Sequence, residues 1–266
     1  MVDMRSILLG LRIGSKHIMF GYRIRSRMRT VVKSYAVYGH FYDATQPGRD
    51  GSTYLQLLRQ HNKQARTLLE IACGTGAHLA PLAKYYDVTG LDISPTMLRY
   101  ARKKLPTVKF HLQDMAGFDL GETFDAVICP YDSMNHLLKF DDWIRTFRSA
   151  KRHLNPQGTF IFDINTEYRL RKLAAGPPGI RQFGANYLIM KVSIAEKGIA
   201  DWDVAVFEHL KRDMYRLHRE VIKERSFTHE QVKQALQEYF DRVRAYDSDG
   251  WTRPKATSGR LYYVCR

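Results

Sequence analysis

Two glycines and one carboxylate form the pattern in this sequence that most clearly indicates a ligand-binding site. Gly74 and Gly76 follow the apolar run 67–71, and Asp92 ends the next apolar run, 16 residues after Gly76. Glycine lets the backbone take dihedrals that other residues avoid, and it leaves room for a ligand against the main chain. A carboxylate at about this spacing on the next strand holds ribose hydroxyls in a βαβ nucleotide site. The pattern predicts a site for a nucleoside-containing cofactor.

The residues around this loop narrow the kind of cofactor. We expect a helix to begin near Ala77, so that its free N–H groups and positive end favour a carboxylate or phosphate on the loop. A dinucleotide fingerprint would place a third glycine where Leu79 stands, and it would tolerate no bulk such as Ala72 and Cys73 against a pyrophosphate. A dinucleotide is therefore not the favoured ligand.

The same region carries four motifs that resemble those of the class I S-adenosylmethionine-dependent methyltransferases. They are the run 70–76 with its acid Asp92, and the runs 108–115, 124–136 and 158–165. Their order and spacing match those of the family, and the resemblance extends from about Tyr35 to the C-terminus. It implies a Rossmann-like fold, S-adenosylmethionine as the cofactor and methyltransferase activity.

The resemblance also implies which residues hold the cofactor. Asp92 would bind the ribose, Asp114 would accept from the adenine amino group, Met115 would flank the ring, and Tyr42 would fold over the methionine end. The predicted cofactor-binding residues are Tyr42, Glu70, Ala72, Cys73, Gly74, Gly76, Asp92, Ile93, Asp114, Met115 and Cys129.

Within the family, the runs 72–79 and 105–115 are similar to small-molecule methyltransferases, including the N,N-dimethyltransferases of amino sugars. The run 131–135 and the segment 162–166 depart from those sugar enzymes and look more like a broad bacterial group of unnamed substrates. A small-molecule acceptor, methylated on nitrogen or oxygen, is the resulting expectation.

Methyl transfer is an in-line displacement, so the protein mainly positions the nucleophile and shapes the electrostatics around it. An amine or hydroxyl nucleophile must lose a proton, and three residues of the fourth-strand motif are candidates to receive it: Tyr131, Asp132 and His136. A histidine after an apolar strand is more often a packing or capping residue, so the role of His136 is left open. The chemistry requires no metal, and the sequence predicts none.

Length and composition fit a single globular enzyme. At 266 residues, with 44% hydrophobic residues, the chain is long enough for one α/β domain with an insertion. Three cysteines, at 73, 129 and 265, show no metal-binding spacing and no disulfide framework. We therefore expect a cytoplasmic protein, and no apolar run has the length of a membrane span.

The net charge of +15 is concentrated at the N-terminus, where residues 1–33 carry eight basic residues and one acidic residue. Apolar residues lie between these charges, so we treat 1–34 as a basic amphipathic, helical extension. It could be a solvated face that packs on its own domain or on a partner subunit, a surface for peripheral membrane contact or an anionic substrate, or a transit peptide. These alternatives stay open.

Strand-like runs alternate with helical patterns up to Asn165, which is typical of βαβ units around a parallel sheet. The pattern then changes to partial alternation, which predicts an inserted antiparallel β layer at about 166–227. The final runs, 243–246 and 261–264, complete a doubly wound α/β sheet of seven strands, mostly parallel with the last strand antiparallel. The expected methyltransferase domain is 35–266.

Two alternative functions are also compatible with the sequence. An RNA methyltransferase would use the basic N-terminal segment, but the chain lacks the clustered aromatic and basic residues of a nucleic-acid face, so nucleic acid is not the expected partner. A non-catalytic protein that binds the cofactor or a membrane surface is the other rival. A homodimer is compatible with the sequence.

Overall fold

The computed structural model describes residues 9–13, 16–20, 35, 37–46, 51–195 and 198–266. The chain divides into two compact units, residues 1–32 and 33–266. None of the helices in these described ranges is long and apolar enough to cross a lipid bilayer.

In the first unit, strands β1 (Leu9–Ile13) and β2 (Lys16–Phe20) pair antiparallel, with Leu11 opposite Ile18. The prediction of a helical extension is therefore wrong for these residues. Leu9, Leu11 and Ile13 recur every second residue, and that is the period of a strand. The rest of the predicted extension lies outside the described residues.

The second unit contains the remaining eleven strands of the described chain. They are β3 (Thr67–Ile71), β4 (Asp87–Asp92), β5 (Lys109–Leu112), β6 (Phe124–Cys129), β7 (Leu154–Asn165), β8 (Gly179–Phe183), β9 (Asn186–Ile194), β10 (Ile199–Lys211), β11 (Met214–Arg225), β12 (Val243–Asp247) and β13 (Arg260–Cys265).

Its helices are α1 (Tyr42–Thr45), α2 (Ser52–His61), α3 (Leu79–Leu82), α4 (Pro95–Lys104), α5 (Phe140–Arg152), α6 (Glu167–Ala175) and α7 (His229–Gln237). Short 3-10 turns cover Tyr38–His40 and Ser133–His136. Side chains cap three of the helices: Ser94 caps α4, Thr166 caps α6, and Thr228 and Gln231 form the capping box that the sequence predicts for α7.

Seven strands form the central sheet in the order β12-β13-β7-β6-β3-β4-β5. All neighbouring pairs are parallel except those of β13, which runs antiparallel to both β12 and β7. The predicted seven-stranded, mostly parallel sheet with an antiparallel last strand is confirmed. Its parallel strands end at one edge, which is where open α/β sheets bind their ligands.

Residues 179–225 form a separate antiparallel sheet in the order β11-β10-β9-β8. This confirms the inserted antiparallel layer. Helix α6 lies within the interval predicted for the layer, and the sequence analysis did not anticipate it. Its buried Leu170 packs with Val192 and Ala200 of the sheet.

The core lies on both faces of the central sheet. One face buries aromatic side chains against α5 and α7, among them Trp143, Phe147, Phe160, Phe162 and Tyr263. The other face buries aliphatic side chains against α2 and α4, among them Leu58, Leu68, Leu98, Ile128 and Val264. Strands covered on both faces carry continuous apolar runs, as β6 does over 126–129.

The helix after the glycine loop begins later in the chain than predicted. It begins at Leu79 instead of near Ala77 and makes a single turn. Ten residues separate Gly76 from Asp87, where β4 begins, so the connection has no room for a long helix. A one-turn helix supplies little of the positive end that we expected to face the loop.

Gly90 makes the tightest contact within this part of the sheet. A Cβ built on Gly90 would lie 2.6 Å from the Phe110 ring and 2.9 Å from the Cys73 sulfur. We expect Gly90→Ala to lower the free energy of unfolding by about 1–3 kcal/mol, because the added methyl overpacks the core. Urea unfolding measures the change. Gly117→Ala is the matched control, since a Cβ there meets no atom within 4 Å.

Candidate cofactor and acceptor site

The loop between β3 and α3 has the backbone conformation that its glycines predict. Gly74 and Gly76 have φ values of +54° and +71°, and Ala72 also has a positive φ of +55°. A Cβ built on Gly74 would meet no atom within 4 Å, so the main chain there is open to a ligand. A residue with a side chain at this position would have an unfavourable φ, and its side chain would keep a ligand away from the main chain.

Asp92 ties this loop to the end of β4. Its two carboxylate oxygens accept hydrogen bonds from the Gly74 N–H and the Ser94 N–H, both at 2.8 Å. Burial raises the pKa of Asp92, although these N–H groups act in the opposite direction. Each carboxylate oxygen has a second lone pair that can accept from a ligand hydroxyl.

Glu70, at the end of β3, is completely buried, and neither of its carboxylate oxygens has a hydrogen-bond partner within the described residues. The Nδ1 atom of His78 lies 3.6 Å from one of them. Burial, and then the charge of Asp92, raises the pKa of Glu70 well above its usual value. A buried carboxyl group without partners is costly, so a ligand that brings a cation or a donor to Glu70 is favoured.

The parallel register of β4 and β5 places the next predicted residues beside Asp92. Asp92 lies opposite Leu112, and the Gln113 N–H donates to the Asp92 carbonyl at 3.2 Å. Asp114 is exposed and accepts from the Ala116 N–H at 2.9 Å. Ile93 keeps 64% of its surface exposed. An adenine ring requires an apolar surface and an acceptor for its amino group. Ile93 and Asp114 offer these two features after the ends of β4 and β5.

Three of the predicted cofactor residues direct their side chains into the protein interior. Cys73, Cys129 and Met115 pack in the hydrophobic core. Burial raises the pKa of the Cys73 and Cys129 thiols well above the usual value. The two cysteines can therefore contact a ligand only through their backbone atoms.

Segment 37–46 links the glycine loop to the inserted sheet. Asp43 accepts from the Thr75 hydroxyl at 2.5 Å and pairs with Lys104 at 2.7 Å. At its other end, buried Glu220 of β11 accepts from the Tyr38 N–H at 2.8 Å. Tyr42 packs edge-on against Tyr38, with ring centroids 5.7 Å apart. The segment thus holds Tyr42 between the loop and the insertion.

His136 is fixed at both ring nitrogens. Its Nδ1 lies 3.2 Å from the Lys223 carbonyl oxygen, and its Nε2 lies 3.1 Å from the Tyr35 hydroxyl. A carbonyl accepts but does not donate, so Nδ1 carries the proton and Nε2 is left as the acceptor. Tyr35 packs edge-on against Tyr42 at 5.5 Å. His136 therefore belongs to the same aromatic wall as the segment over the loop.

Tyr35 was not among the predicted site residues. The sequence offers one signal for it: Tyr35, Tyr38 and Tyr42 form a cluster of tyrosines three and four residues apart. Their pairing with His136 could not be read from the sequence, because 101 residues separate Tyr35 from His136.

The other two candidates for proton transfer, Tyr131 and Asp132, lie at a strained turn after β6. Both have positive φ values, +54° and +52°, which are unfavourable for these residue types. Asp163 holds the turn by accepting from the Tyr131 N–H at 2.6 Å and from the Asp132 N–H at 3.0 Å. The Tyr131 ring stacks on His78 at 4.1 Å.

Asp132 is an ion-pair partner of Arg260, which also pairs with Asp163. Burial alone would lower the pKa of Arg260, but these two carboxylates raise it well above its usual value. The charge of Asp132 is therefore already compensated, and this argues against a role as the proton acceptor. The sequence analysis named Asp132 as a candidate site residue but did not name Arg260.

The network continues into the inserted sheet. Arg260 also donates to the Asn165 side-chain oxygen at 3.0 Å, and the Asn165 side-chain N–H donates to Glu224 of β11 at 3.0 Å. Asn135 donates to the carbonyls of Asn165 and Arg225, both at 3.0 Å. Burial raises the pKa of Glu224 well above its usual value, and the nearby Asp132 adds to the shift. The network joins β6, β7, β11 and β13 beneath the site.

Comparison with known proteins identifies the family of the chain. A methyltransferase domain family matches residues 68–158. A putative methyltransferase of Bacillus subtilis is 31% identical over 207 residues, which cover 74% of this chain and 82% of that protein. A crystal structure of an S-adenosylmethionine-dependent methyltransferase from Clostridium acetobutylicum superposes with a TM-score of 0.74 at 21% identity, covering 86% of this chain and 97% of that chain.

Another relative has a more specifically named activity, but the similarity covers a smaller part of its length. A dTDP-4-amino-2,3,4,6-tetradeoxy-D-glucose N,N-dimethyltransferase of Saccharopolyspora spinosa is 36% identical over 129 residues, covering 46% of this chain and 52% of that protein. The chain thus spans about half the length of such sugar dimethyltransferases.

The residues present fit S-adenosylmethionine. Glu70 offers carboxylate oxygens without a hydrogen-bond donor, which an amino-acid ammonium group can supply. Gly74 leaves the main chain open, and Asp92 has lone pairs for ribose hydroxyls. The fold and the likeness to the Bacillus subtilis protein agree, and the chain belongs to the class I S-adenosylmethionine-dependent methyltransferases.

Proposed function

We propose that this protein transfers a methyl group from S-adenosylmethionine to an amine nitrogen of a small molecule, with amino-deoxysugars as the substrate class. The observation that carries the proposal is His136, whose Nδ1 is held by a backbone carbonyl so that Nε2 is the ring atom that accepts from the Tyr35 hydroxyl. The likeness to a sugar N,N-dimethyltransferase supports the acceptor class.

The bound cofactor supplies an electrophilic methyl group on a sulfonium. The acceptor nitrogen forms a bond to the methyl carbon as the carbon–sulfur bond breaks, and the electron pair of that bond goes to sulfur. The nitrogen must release one proton for each methyl group that it keeps as a neutral amine. We propose that the Tyr35 hydroxyl takes up this proton as it passes its own proton to Nε2 of His136, 3.1 Å away, which leaves Tyr35 neutral and His136 protonated.

Other residues hold the reactants. We propose that Glu70 pairs with the methionine ammonium, that Asp92 binds the ribose, and that Ile93 and Asp114 receive the adenine. Segment 37–46, tied to Thr75 and to Glu220, would exclude water from the methyl group. Enclosure strengthens the electrostatic interactions that position the nucleophile.

Calorimetry with S-adenosylmethionine and its demethylated product, beside NAD and ATP, is the first test. Micromolar affinity for the first pair alone is the expected result, and binding of NAD instead would overturn the cofactor assignment. An acceptor screen should then include dTDP-amino-deoxysugars, simple amines, phenols and transfer RNA. Methylation of RNA would overturn the small-molecule proposal. Tight cofactor binding without any turnover would favour a non-catalytic binding protein.

We expect His136→Asn to lower kcat by about 100-fold or more, because general-base catalysis commonly contributes 10²–10⁴-fold. Cofactor affinity should stay within about twofold of the native value, since His136 is not among the residues assigned to the cofactor. The measurement is steady-state kinetics on the best acceptor, paired with calorimetry.

His209→Asn is the matched control, because His209 also binds a backbone carbonyl, at 2.8 Å, but on the inserted sheet at the far end of β10. A His136→Asn protein with native turnover would show that His136 only packs at this position. The cofactor assignment would survive that result.

A further inference from the structure

A second concave site lies at the opposite edge of the central sheet from the glycine loop. It is a cavity of about 170 Å³ between α2 and the β12–β13 pair. Its lining is basic: Gln60, His61, Arg242, Arg244, Val264 and Arg266. It is smaller than the roughly 300–1,000 Å³ of a typical metabolite pocket, so it suits one charged group better than a whole molecule.

The strand register concentrates the positive charge. Arg242 and Arg266 exchange backbone hydrogen bonds of 2.9 and 3.0 Å, so their side chains lie directly opposite each other. Arg244 follows two residues after Arg242 and shares its face of the strand. Like charges placed directly opposite on a sheet are destabilising. Three arginines on one small face therefore favour a negative partner.

The protein does not provide that partner in the part of the chain that the structure describes. None of the three arginines forms an ion pair with a carboxylate there. Arg266 donates to the Gln157 carbonyl at 3.1 Å, which orients one guanidinium without neutralising it. His61 lies beside them, with its Nε2 3.4 Å from the Tyr246 hydroxyl. Burial, and then the charges of Arg244 and Arg266, lowers the pKa of His61.

We propose that this cavity binds a phosphate or diphosphate group of a small anionic ligand, at a site separate from the methyl-transfer site. Arginine guanidinium groups match phosphate oxygens with paired, charge-assisted hydrogen bonds. The site lies at the far end of β13 from Arg260, six residues along the strand, or about 20 Å at the usual rise per residue. Occupancy at this distance leaves the cofactor loop untouched.

Calorimetry with inorganic pyrophosphate at constant ionic strength tests the proposal. We expect saturable binding of one equivalent, weakened at least tenfold by Arg244→Gln and by Arg266→Gln. Arg99→Gln is the matched control. Arg99 is exposed on α4, so this substitution removes the same charge at a place away from the cavity. Equal weakening by Arg99→Gln would show a non-specific charge effect and would overturn the proposal, as would the absence of saturation.

A second measurement needs no variant. In the native protein, pyrophosphate should raise the pKa of His61 toward its ordinary value, as followed by NMR of the imidazole ring, because the bound anion offsets the two arginines. An unchanged His61 titration at saturating pyrophosphate would contradict the proposal. Neither result depends on methyl transfer, so this site and the proposed function can fail independently.

Two further ligands distinguish the source of the phosphate. A nucleoside diphosphate should compete with pyrophosphate if the ligand is a free metabolite. Vesicles that contain phosphatidylglycerol should compete if the ligand is a lipid headgroup. Vesicle binding that depends on Arg244 while pyrophosphate does not bind would overturn a site for free anions.

Discussion

An Arg260→Ala variant is expected to lose about 3–5 kcal/mol of unfolding free energy, which is the usual effect of removing one partner of a buried ion pair. Arg260 contacts the carboxylates of Asp132 and Asp163, and the Asp163 side chain is only 1% exposed. Without the guanidinium, two negative charges remain beside Glu224, which is itself buried. Their mutual repulsion and lost solvation are the source of the effect.

Urea unfolding at pH 7 measures this loss, and its pH dependence identifies the cause. In the variant, the two unpaired carboxylates are buried negative charges, and protonation removes them. The penalty should therefore be largest at neutral pH and should shrink as the pH falls toward the unfolded pKa of about 4. A loss that stays constant between pH 7 and pH 5 would indicate lost packing instead of unpaired charge.

Arg171→Ala is the matched control for this variant. Arg171 pairs with Glu167 on the exposed face of α6, and such surface pairs contribute about 0.3–0.5 kcal/mol. An Arg260→Ala protein no less stable than Arg171→Ala would show that the network under the site contributes little to stability. The turn at Tyr131 and Asp132 would then need another explanation for its positive φ values.

The contacts of this network could not be predicted from the sequence. Gly74, Gly76 and Asp92 could be predicted because their roles are local: a turn requires the glycines, and the next strand places the acid. Arg260 meets Asp132 across 128 residues of sequence. Such a pairing depends on β13 lying beside β7 in the sheet, and no local pattern records that contact.

The same distinction explains the errors in the predicted elements. The capping box at Thr228 is a local signal, and the structure contains it. The residues 9–20 carry both charges and apolar side chains, and a helical period was inferred where the two-residue period applies. The helix expected near Ala77 begins at Leu79 and makes only one turn, because the spacing to β4 limits it, and that constraint comes from the sheet.

Asp92 is the residue whose replacement should most weaken cofactor binding. We expect Asp92→Ala to lower the affinity for S-adenosylmethionine by 10- to 100-fold, or about 1.4–2.8 kcal/mol. The carboxylate is buried, so its hydrogen bonds to ribose hydroxyls would form in a poorly solvated site where charge-assisted bonds are strong. Calorimetry measures the change. Asp87→Ala, at the exposed opposite end of β4, is the matched control.

Asp92 also holds the Gly74 and Ser94 N–H groups, so a loss of affinity alone would not separate ribose binding from loop support. A cofactor analogue without the ribose hydroxyls makes the distinction. On the native protein the analogue should bind as weakly as S-adenosylmethionine binds to Asp92→Ala, and on the variant the two ligands should bind alike. Additive losses from the substitution and the analogue would assign Asp92 to the loop and leave the ribose to another residue.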